Sequence, residues 1–416
     1  MKIKKVTGRE IFDSRGIPTI ECIIELDDGS QVSASVPSGT SRGTHEAREL
    51  RDGGTRLNGN GVLNAVDNIN RQIQPLLIGR EPHIIQADTS MIQLDDTDDK
   101  SNLGANAILA VSAAVLRAQA KAEGFEVYEL IAYICGEQAV TIPSPMFNVM
   151  SGGAHADNHL SIQEIMIIPF GMATFRLALE AGMMLFRVLR EHVAKSKRVF
   201  GISDEGALII DFRDEIEALD LLSEVIASVE GTHEGSFMIA LDVAATQFYT
   251  PRLQQYHWQN SRISAADLVD HYGKLIQSYP IYSIEDGLGE DDWIGWQHMY
   301  KTLGSKVQLV GDDLFTTDPQ RIWQGIEKQV ANAVLIKPNQ IGTITETLQA
   351  IRLCQERDMR HILSHRSGET NDSLIADIAV GTSATQIKAG ACMHGERMAK
   401  YNRLLSIEDE LLSDDN

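Results

Sequence analysis

A β/α barrel preceded by a smaller α+β domain is the fold class that this sequence predicts, and three observations predict it. Five short apolar runs in the second half each end in one charged or polar residue: Phe237 to Asp242, Ile281 to Glu285, Val307 to Asp312, Ala333 to Lys337 and His361 to His365. A run that is apolar on both faces suits a parallel strand covered from both sides. The interval from each end residue to the next leaves room for one helix, the rhythm of strand and helix around a barrel. The opening of the chain instead alternates apolar and polar residues, as a half-buried antiparallel sheet does.

Taken in order, the alternation is clearest from Ile20 to Leu26. Asp27-Asp28-Gly29-Ser30 then supplies a hairpin turn into Val32 to Val36. Helical patterns follow from Val62 to Leu77 and from Asn102 to Lys121. In the second, Ala105, Ile108, Leu109, Ser112 and Val115 recur at spacings of three and four and so share a face. Helices on one face of a small sheet make an α+β unit. Pro143-Ser144-Pro145 breaks any helix, so the stretch from Gly136 to Pro145 is the expected boundary. The capping domain would span 1–138 and the barrel 139–416. A chain of 416 residues, 43% of them hydrophobic, is long enough to fill both cores.

The net charge of -21, with lysines and arginines dispersed, argues against nucleic acid or an anionic membrane as a partner, because either would be repelled. The acidic stretch Asp409 to Asn416 reads as solvated surface. Cys22, Cys135, Cys354 and Cys392 lie far apart without a CxxC pair, which predicts reduced, mostly buried thiols. No apolar run approaches a membrane span, and Met1 to Lys4 leads into a strand pattern and not a signal peptide. The expected location is the cytoplasm.

Barrel enzymes carry their reactive groups at the C-terminal ends of the strands, so Asp242, Glu285, Asp312, Lys337 and His365 should meet at one mouth. Three carboxylates there repel one another unless a cation sits among them, and an all-oxygen set suits a hard ion such as Mg²⁺. Lys337 beside that ion and a second cation would hold its proton less tightly and become a usable base. Lys388, in Thr385 to Lys388, is the candidate second cation. Asp313 could orient Lys337 or lie at the surface. Glu205 sits beside Gly206, and Glu164 lies within the apolar run Ile162 to Ile165. Were they to share a site, one pKa would rise and leave a proton for donation, although spacing alone does not pair them. Pro37 to Gly43 and Ser151 to His155 are glycine-rich, and Ser364 to Gly368 offers a guanidinium suited to an oxyanion.

Together these segments resemble the enolase family along nearly the whole chain. The likeness runs through Gly8 to Gly16, Gly104 to Ile108, Ser283 to Gly287 and Ala399 to Asn402. It is most specific in Leu335 to Gly342 (Leu-Ile-Lys-Pro-Asn-Gln-Ile-Gly) and Ser364 to Thr370 (Ser-His-Arg-Ser-Gly-Glu-Thr). The resemblance implies an α+β cap on a modified, enolase-type β/α (TIM) barrel. It also implies reversible loss of water from 2-phosphoglycerate to give phosphoenolpyruvate, two Mg²⁺ ions per site, and a homodimer or ring of dimers. By matching position, Lys337 is the base at C2, Glu205 the acid at the C3 hydroxyl, Glu164 its assisting carboxylate and His365 an active-site histidine. Asp242, Glu285 and Asp312 match the ligands of the first Mg²⁺, and Ser41 the serine that holds the second with the substrate phosphate. His155 and Gln163 match substrate contacts, Arg366 and Ser367 phosphate binders, and Lys388 the lysine on the substrate carboxylate. The alternatives are a paralogue acting on a related phospho- or phosphono-carboxylate, and a non-catalytic binding or scaffold protein.

Several supporting positions depart from the family pattern. Thr40 and Arg42 replace alanine and threonine in the mobile loop, so Arg42 is expected as a new cation beside the phosphate. Ser151 and Ala154 are altered near His155. Ala207 replaces a glycine, at a cost of about 1 kcal/mol or more if that position takes a positive φ. His394-Gly395 stands where an arginine and a serine are usual, removing a cation near the mouth.

Overall fold

The computed structural model describes residues 1–416 apart from Ser41, Lys197, Val199, Glu230, His233, Asn260, Asp415, Asn416 and the side chain of Asp414. Strands β1 (Ile3–Phe12), β2 (Pro18–Leu26) and β3 (Gln31–Ser35) form an antiparallel meander in sequence order. Ile20, Cys22, Ile24 and Leu26 on β2 are fully buried at every second position, as the alternation requires. Behind the sheet lie α1 (Ile84–Asp95), α2 (Ala105–Glu123) and α3 (Val127–Cys135). Helix α2 is buried well beyond the stripe read from sequence, because the sheet covers one side and barrel elements the other. Its alanines permit that close approach, and Ser112 Oγ accepts the Ile344 N–H at 2.9 Å.

The second part begins with β4 (Ser144–Ser151) and β5 (Glu164–Phe170), then α4 (Phe175–Lys195), a small hairpin of β6 (Phe200–Ile202) and β7 (Leu208–Ile210), and α5 (Glu215–Val229). Strand and helix then alternate: β8 (Ser236–Asp242), α6 (Ala265–Ser278), β9 (Ile281–Glu285), α7 (Trp293–Leu303), β10 (Gln308–Gly311) and α8 (Pro319–Lys328). The series ends with β11 (Ala333–Ile336), α9 (Ile344–Glu356), β12 (Arg360–Ser364), α10 (Leu374–Gly381), β13 (Gln386–Lys388) and α11 (Gly395–Asp414). In the order β4, β5, then β8 through β13, these strands close into a barrel, because β13 pairs with β4.

The five runs read from sequence are parallel neighbours. Strand β5 is antiparallel to both β4 and β8. It enters the barrel from the mouth, so its first residue, Glu164, stands level with Asp242 at the end of β8. Met146, Met166, Ile168, Ala240, Val310, Ala333, Leu335 and Ile362 fill the barrel interior as a separate apolar cluster, a packed floor beneath the charged mouth.

The cap docks on the mouth side. Ser38 forms a two-way backbone bridge with Gly368, Ser14 N–H donates to Glu369 O at 2.8 Å, and Ala47 N–H donates to Gln340 O at 2.7 Å. These contacts lay the loop after β3 across the strand ends. The cysteines are unpaired, with Cys22 and Cys354 buried. Among the described residues, no helix is long and apolar enough to cross a membrane.

Candidate active site

A cleft lined by Glu164, Glu205, Asp242, Asp312, Lys337 and Lys388 opens at the strand ends. Lys388, at the end of β13, is buried and not exposed past the strand, and its Nζ lies 2.9 Å from each of Glu164 Oε2, Asp242 Oδ2 and Glu285 Oε1. Burial favours the neutral amine, yet Asp242, Glu164 and Glu285 outweigh it and hold the pKa well above the ordinary lysine value. Lys337, just past β11, pairs through Nζ with Asp312 Oδ2, while Gln340 Nε2 donates to Asp312 Oδ1 at 2.9 Å. Among its neighbouring side chains alone, Lys337 is not the easily deprotonated lysine expected beside a cation. Burial, Arg366 and Lys388 do push Lys337 toward neutrality, but Asp312 wins and the pKa is raised.

Negative charge is in surplus at the floor of the cleft. Glu285 is pushed well above the usual carboxylate range by burial and by Asp242, against the pull of Lys388. Its Oε2 is buried without a hydrogen-bond partner among the described residues. An orphaned carboxylate oxygen among Asp242 and Asp312 fits a hard divalent cation, and those three residues are the ones that would hold it. A tighter acidic group, Asp286, Asp312 and Asp313, has carboxylate oxygens within 4.8 Å of one another. Asp286 spends both oxygens on the backbone N–H groups of Asp312 and Asp313, at 2.9 and 2.8 Å, so it aims the turn after β10. Burial and Asp312 push Asp313 up to about 8.

Across the barrel, Glu205 and Glu164 do share a site. His155 Nδ1 lies 3.3 Å from Glu164 Oε1 and 3.9 Å from Glu205 Oε1, His365 Nε2 lies 3.5 Å from Glu205 Oε2, and Asn148 Nδ2 donates to Glu205 Oε2 at 3.1 Å. The expected upward shift is absent from Glu205. Burial raises it, but His155, Arg397, a hydrogen bond with Glu164 and Lys388 together pull it down to about 2. Burial lowers His155, but Glu205 and Glu164 push it up to about 9. His365 is held well below its ordinary value by burial and by Arg397, whose Nη1 donates to His365 Nδ1 at 2.5 Å. A guanidinium only donates, so in neutral His365 the proton sits on Nε2, facing Glu205.

The signs give a pH prediction. Raised from 6.5, His155 contributes stability that is complete below 6.5 and lost as pH rises through about 9. Lowered from 4.5, Glu205 contributes stability that is complete above 4.5 and lost as pH falls through about 2. In denaturant unfolding across pH 6 to 9.5, the wild type should lose stability relative to His155→Gln, and matching slopes would refute the pairing.

At the other end of the cleft, Ser367 Oγ accepts the Thr40 N–H at 2.7 Å and Arg15 Nη1 at 3.3 Å. The buried Arg366 guanidinium faces Asn339, with Oδ1 3.1 Å from Nη1, and the loop carboxylate Glu46. Gln163 Nε2 donates to Asp242 Oδ2 at 3.4 Å, and its Oε1 accepts from Gln247 at 2.6 Å. Ser41 lies outside the described residues. Arg42 is not the extra cation expected beside a phosphate: Glu49 takes its Nη2 at 2.6 Å, along with Arg51 at 2.7 Å.

Two other altered positions also resolve differently. Ala207 is fully buried and is not among the residues with positive φ. Gly206 takes that conformation instead, at φ +88, and a Cβ there would lie 2.8 Å from Met393 Cγ. Gly206→Ala should therefore cost about 1–2 kcal/mol in backbone strain alone and displace Glu205. The expected result is a drop in turnover larger than the drop in unfolding free energy implies. His394, for its part, turns to Glu396, with Nδ1 3.7 Å from Oε1.

Arg397 is the group that sequence reasoning passed over. It is fully buried and donates to His365 Nδ1, to Arg366 O and Ser367 O at 2.6 Å each, and to Asp204 O at 3.2 Å. It thereby fastens the loop after β12 to the loop that carries Glu205. An arginine on a helix normally reads as surface, and the one available signal was its place in an otherwise altered C-terminal motif.

The family model for the enolase N-terminal domain matches residues 3–131, and that for the enolase C-terminal TIM barrel domain matches residues 139–416. A curated protein named enolase, from Sulfurimonas denitrificans, is 45% identical over 413 residues, which is 99% of this chain and 97% of the relative. The chain belongs to the enolase family. Its activity class follows from that membership: it is a lyase of the phosphopyruvate hydratase type.

Proposed function

We propose that the protein catalyses the reversible, Mg²⁺-dependent dehydration of 2-phosphoglycerate to phosphoenolpyruvate in the cytoplasm, as a homodimer or ring of dimers, with 1–138 as cap and 139–416 as catalytic domain. The observation that carries this reading is that Lys337 follows β11 and Glu164 opens β5, two strands that stand across the barrel from each other in the strand order. A base on one side and a carboxyl pair on the other suit removal of a proton and a hydroxyl from adjacent carbons.

Arg366, Ser367 and Ser41 bind the substrate phosphate, and Lys388 takes its carboxylate, with His155 and Gln163 completing the contacts. Asp242, Glu285 and Asp312 would hold one divalent ion and Ser41 would help hold a second, and these ions would supply fixed positive charge against the negative charge that develops when a proton leaves a carbon beside a carboxylate. Lys337 takes the C2 proton. Burial, Arg366 and Lys388 already favour its neutral form, so it becomes a base as the charge on Asp312 is compensated. Glu205 gives a proton to the C3 hydroxyl as the C3–O bond breaks, and water leaves. The negative charge of the substrate raises Glu205 from its low resting value, while Glu164, His155 and His365 hold it in place.

The test is phosphoenolpyruvate formation from 2-phosphoglycerate, followed by ultraviolet absorbance with and without Mg²⁺. Turnover only with Mg²⁺ supports the reading, and none under either condition overturns it. Glu205→Gln should slow dehydration by roughly 10²–10⁴-fold while C2 proton exchange with solvent continues. Equal loss of both would move Glu205 to another step.

A further inference from the structure

We infer that Glu46 is a positioning residue for this reaction: from the loop across the barrel mouth it fixes the Arg366 guanidinium at the phosphate end of the cleft and ties it to the shape of that loop. The inference rests on the reading of Arg366 as a phosphate-binding group. Arg366 Nη1 donates to Glu46 Oε2 at 3.0 Å and Nη2 donates to Oε1 at 3.2 Å, so the two planar groups meet edge to edge. Their side chains are 4% and 5% exposed. A pair this dry is held far more firmly than a surface ion pair.

The same carboxylate reaches back into its own loop. Glu46 Oε1 accepts the Gly43 N–H at 3.0 Å. Gly43 lies so close to the barrel that a Cβ there would come within 2.9 Å of Thr316 Cγ2 and 3.1 Å of Asp313 Oδ1. One carboxylate thus joins the arch of the loop to a guanidinium in the cleft. The loop is pinned on both sides of that link, by Thr40 on Ser367 at 2.7 Å and by Thr44, whose N–H and Oγ1 donate to Glu290 at 3.0 and 2.6 Å. Lifting the arch would take Glu46 with it and leave a buried guanidinium without its carboxylate, so the aim of Arg366 depends on the loop lying down.

A carboxylate so near the guanidinium could instead compete with phosphate. Of the five N–H donors that an arginine has, Glu46 takes one on each Nη and Asn339 Oδ1 accepts another from Nη1 at 3.1 Å, so the carboxylate fixes the plane in which the guanidinium lies. In Glu46→Gln the amide sets an N–H against the guanidinium N–H groups, so one of the two bonds is lost.

The experiment compares wild type, Glu46→Gln and Glu46→Asp in the full chain, measuring KM and kcat for 2-phosphoglycerate and the Kd of inorganic phosphate and of glycerate, which lacks the phosphate. Glu46→Gln should raise KM and the phosphate Kd by roughly 10- to 100-fold, with a much smaller change in kcat and none in glycerate binding. Amide exchange of Thr40 and Gly43 should speed up. Glu46→Asp, which keeps the charge, should fall between, and decides the matter if the glutamine variant does not fold. Unchanged phosphate affinity overturns the inference; so does tighter phosphate binding, which would mean competition, and so does an equal loss of glycerate, which would mean general damage. If the wild type fails to turn over 2-phosphoglycerate, the substrate reading falls, yet the phosphate arm still decides whether Glu46 sets Arg366.

Discussion

Lys337→Ala should lower turnover by roughly 10²–10⁴-fold and end exchange of the C2 proton with solvent. The change removes the amine proposed as the base and also the cation paired with Asp312. These two losses are separable. Losing the base abolishes exchange at every pH, whereas freeing Asp312 alters the charge of the floor and so the affinity for a divalent ion. Lys337→Met, of similar length, should reproduce the loss of exchange. If either variant exchanged the C2 proton at the wild-type rate, another group would be the base. Because Asp312 holds the Lys337 pKa up, turnover in the wild type should rise toward alkaline pH at low metal concentration.

Lys388→Met should be the most damaging single change to stability, by about 3–5 kcal/mol without added divalent ion. One ammonium serves Glu164, Asp242 and Glu285 at 2.9 Å each, and all four groups are buried. Taking it away leaves three carboxylates to repel one another, with Glu285 already pushed toward its neutral form. Denaturant unfolding in chelator measures the loss, and added Mg²⁺ should recover part of it by supplying the missing charge. Activity should stay low even when stability is recovered, since the ammonium proposed to take the substrate carboxylate is gone. A variant as stable as wild type in chelator would mean that the three acids are compensated in some other way.

Asp242, Glu285, Asp312, Lys337 and His365 are legible in the sequence because a strand covered on both faces tolerates a charged or polar group most readily where it emerges, and each run ends on one. Glu164 is harder to read. It sits inside its apolar run, and only the antiparallel entry of β5, which begins at Glu164, brings a first residue to the place where others put their last. Lys388 shows its position but not its burial, since one short strand says nothing of three acids from other strands. Arg397, Asp286 and Glu46 are invisible for a related reason. Each is a charge in a helix or loop, where solvent exposure is the ordinary state, and their partners lie far off in the chain. The direction of the pKa shifts fails similarly: proximity of Lys337 to Lys388 can be guessed, but the closer contact with Asp312 depends on atomic distances. Arg42 fails through the presence of Glu49, an acid the loop pattern alone does not single out.

The seam of the barrel gives its assembly a particular order. Strand β13 pairs with β4, with Lys388 beside Met146, so the last strand made closes against the first. Contacts between segments so distant in sequence form late, because the entropy of closing the loop is met before pairing returns anything. Glu164, Asp242 and Glu285 all precede Lys388, so a chain leaving the ribosome displays three acids before the ammonium that neutralises them has been made. Until β13 arrives, those acids repel one another and work against closure. The final strand therefore brings a ladder of hydrogen bonds and the missing positive charge together.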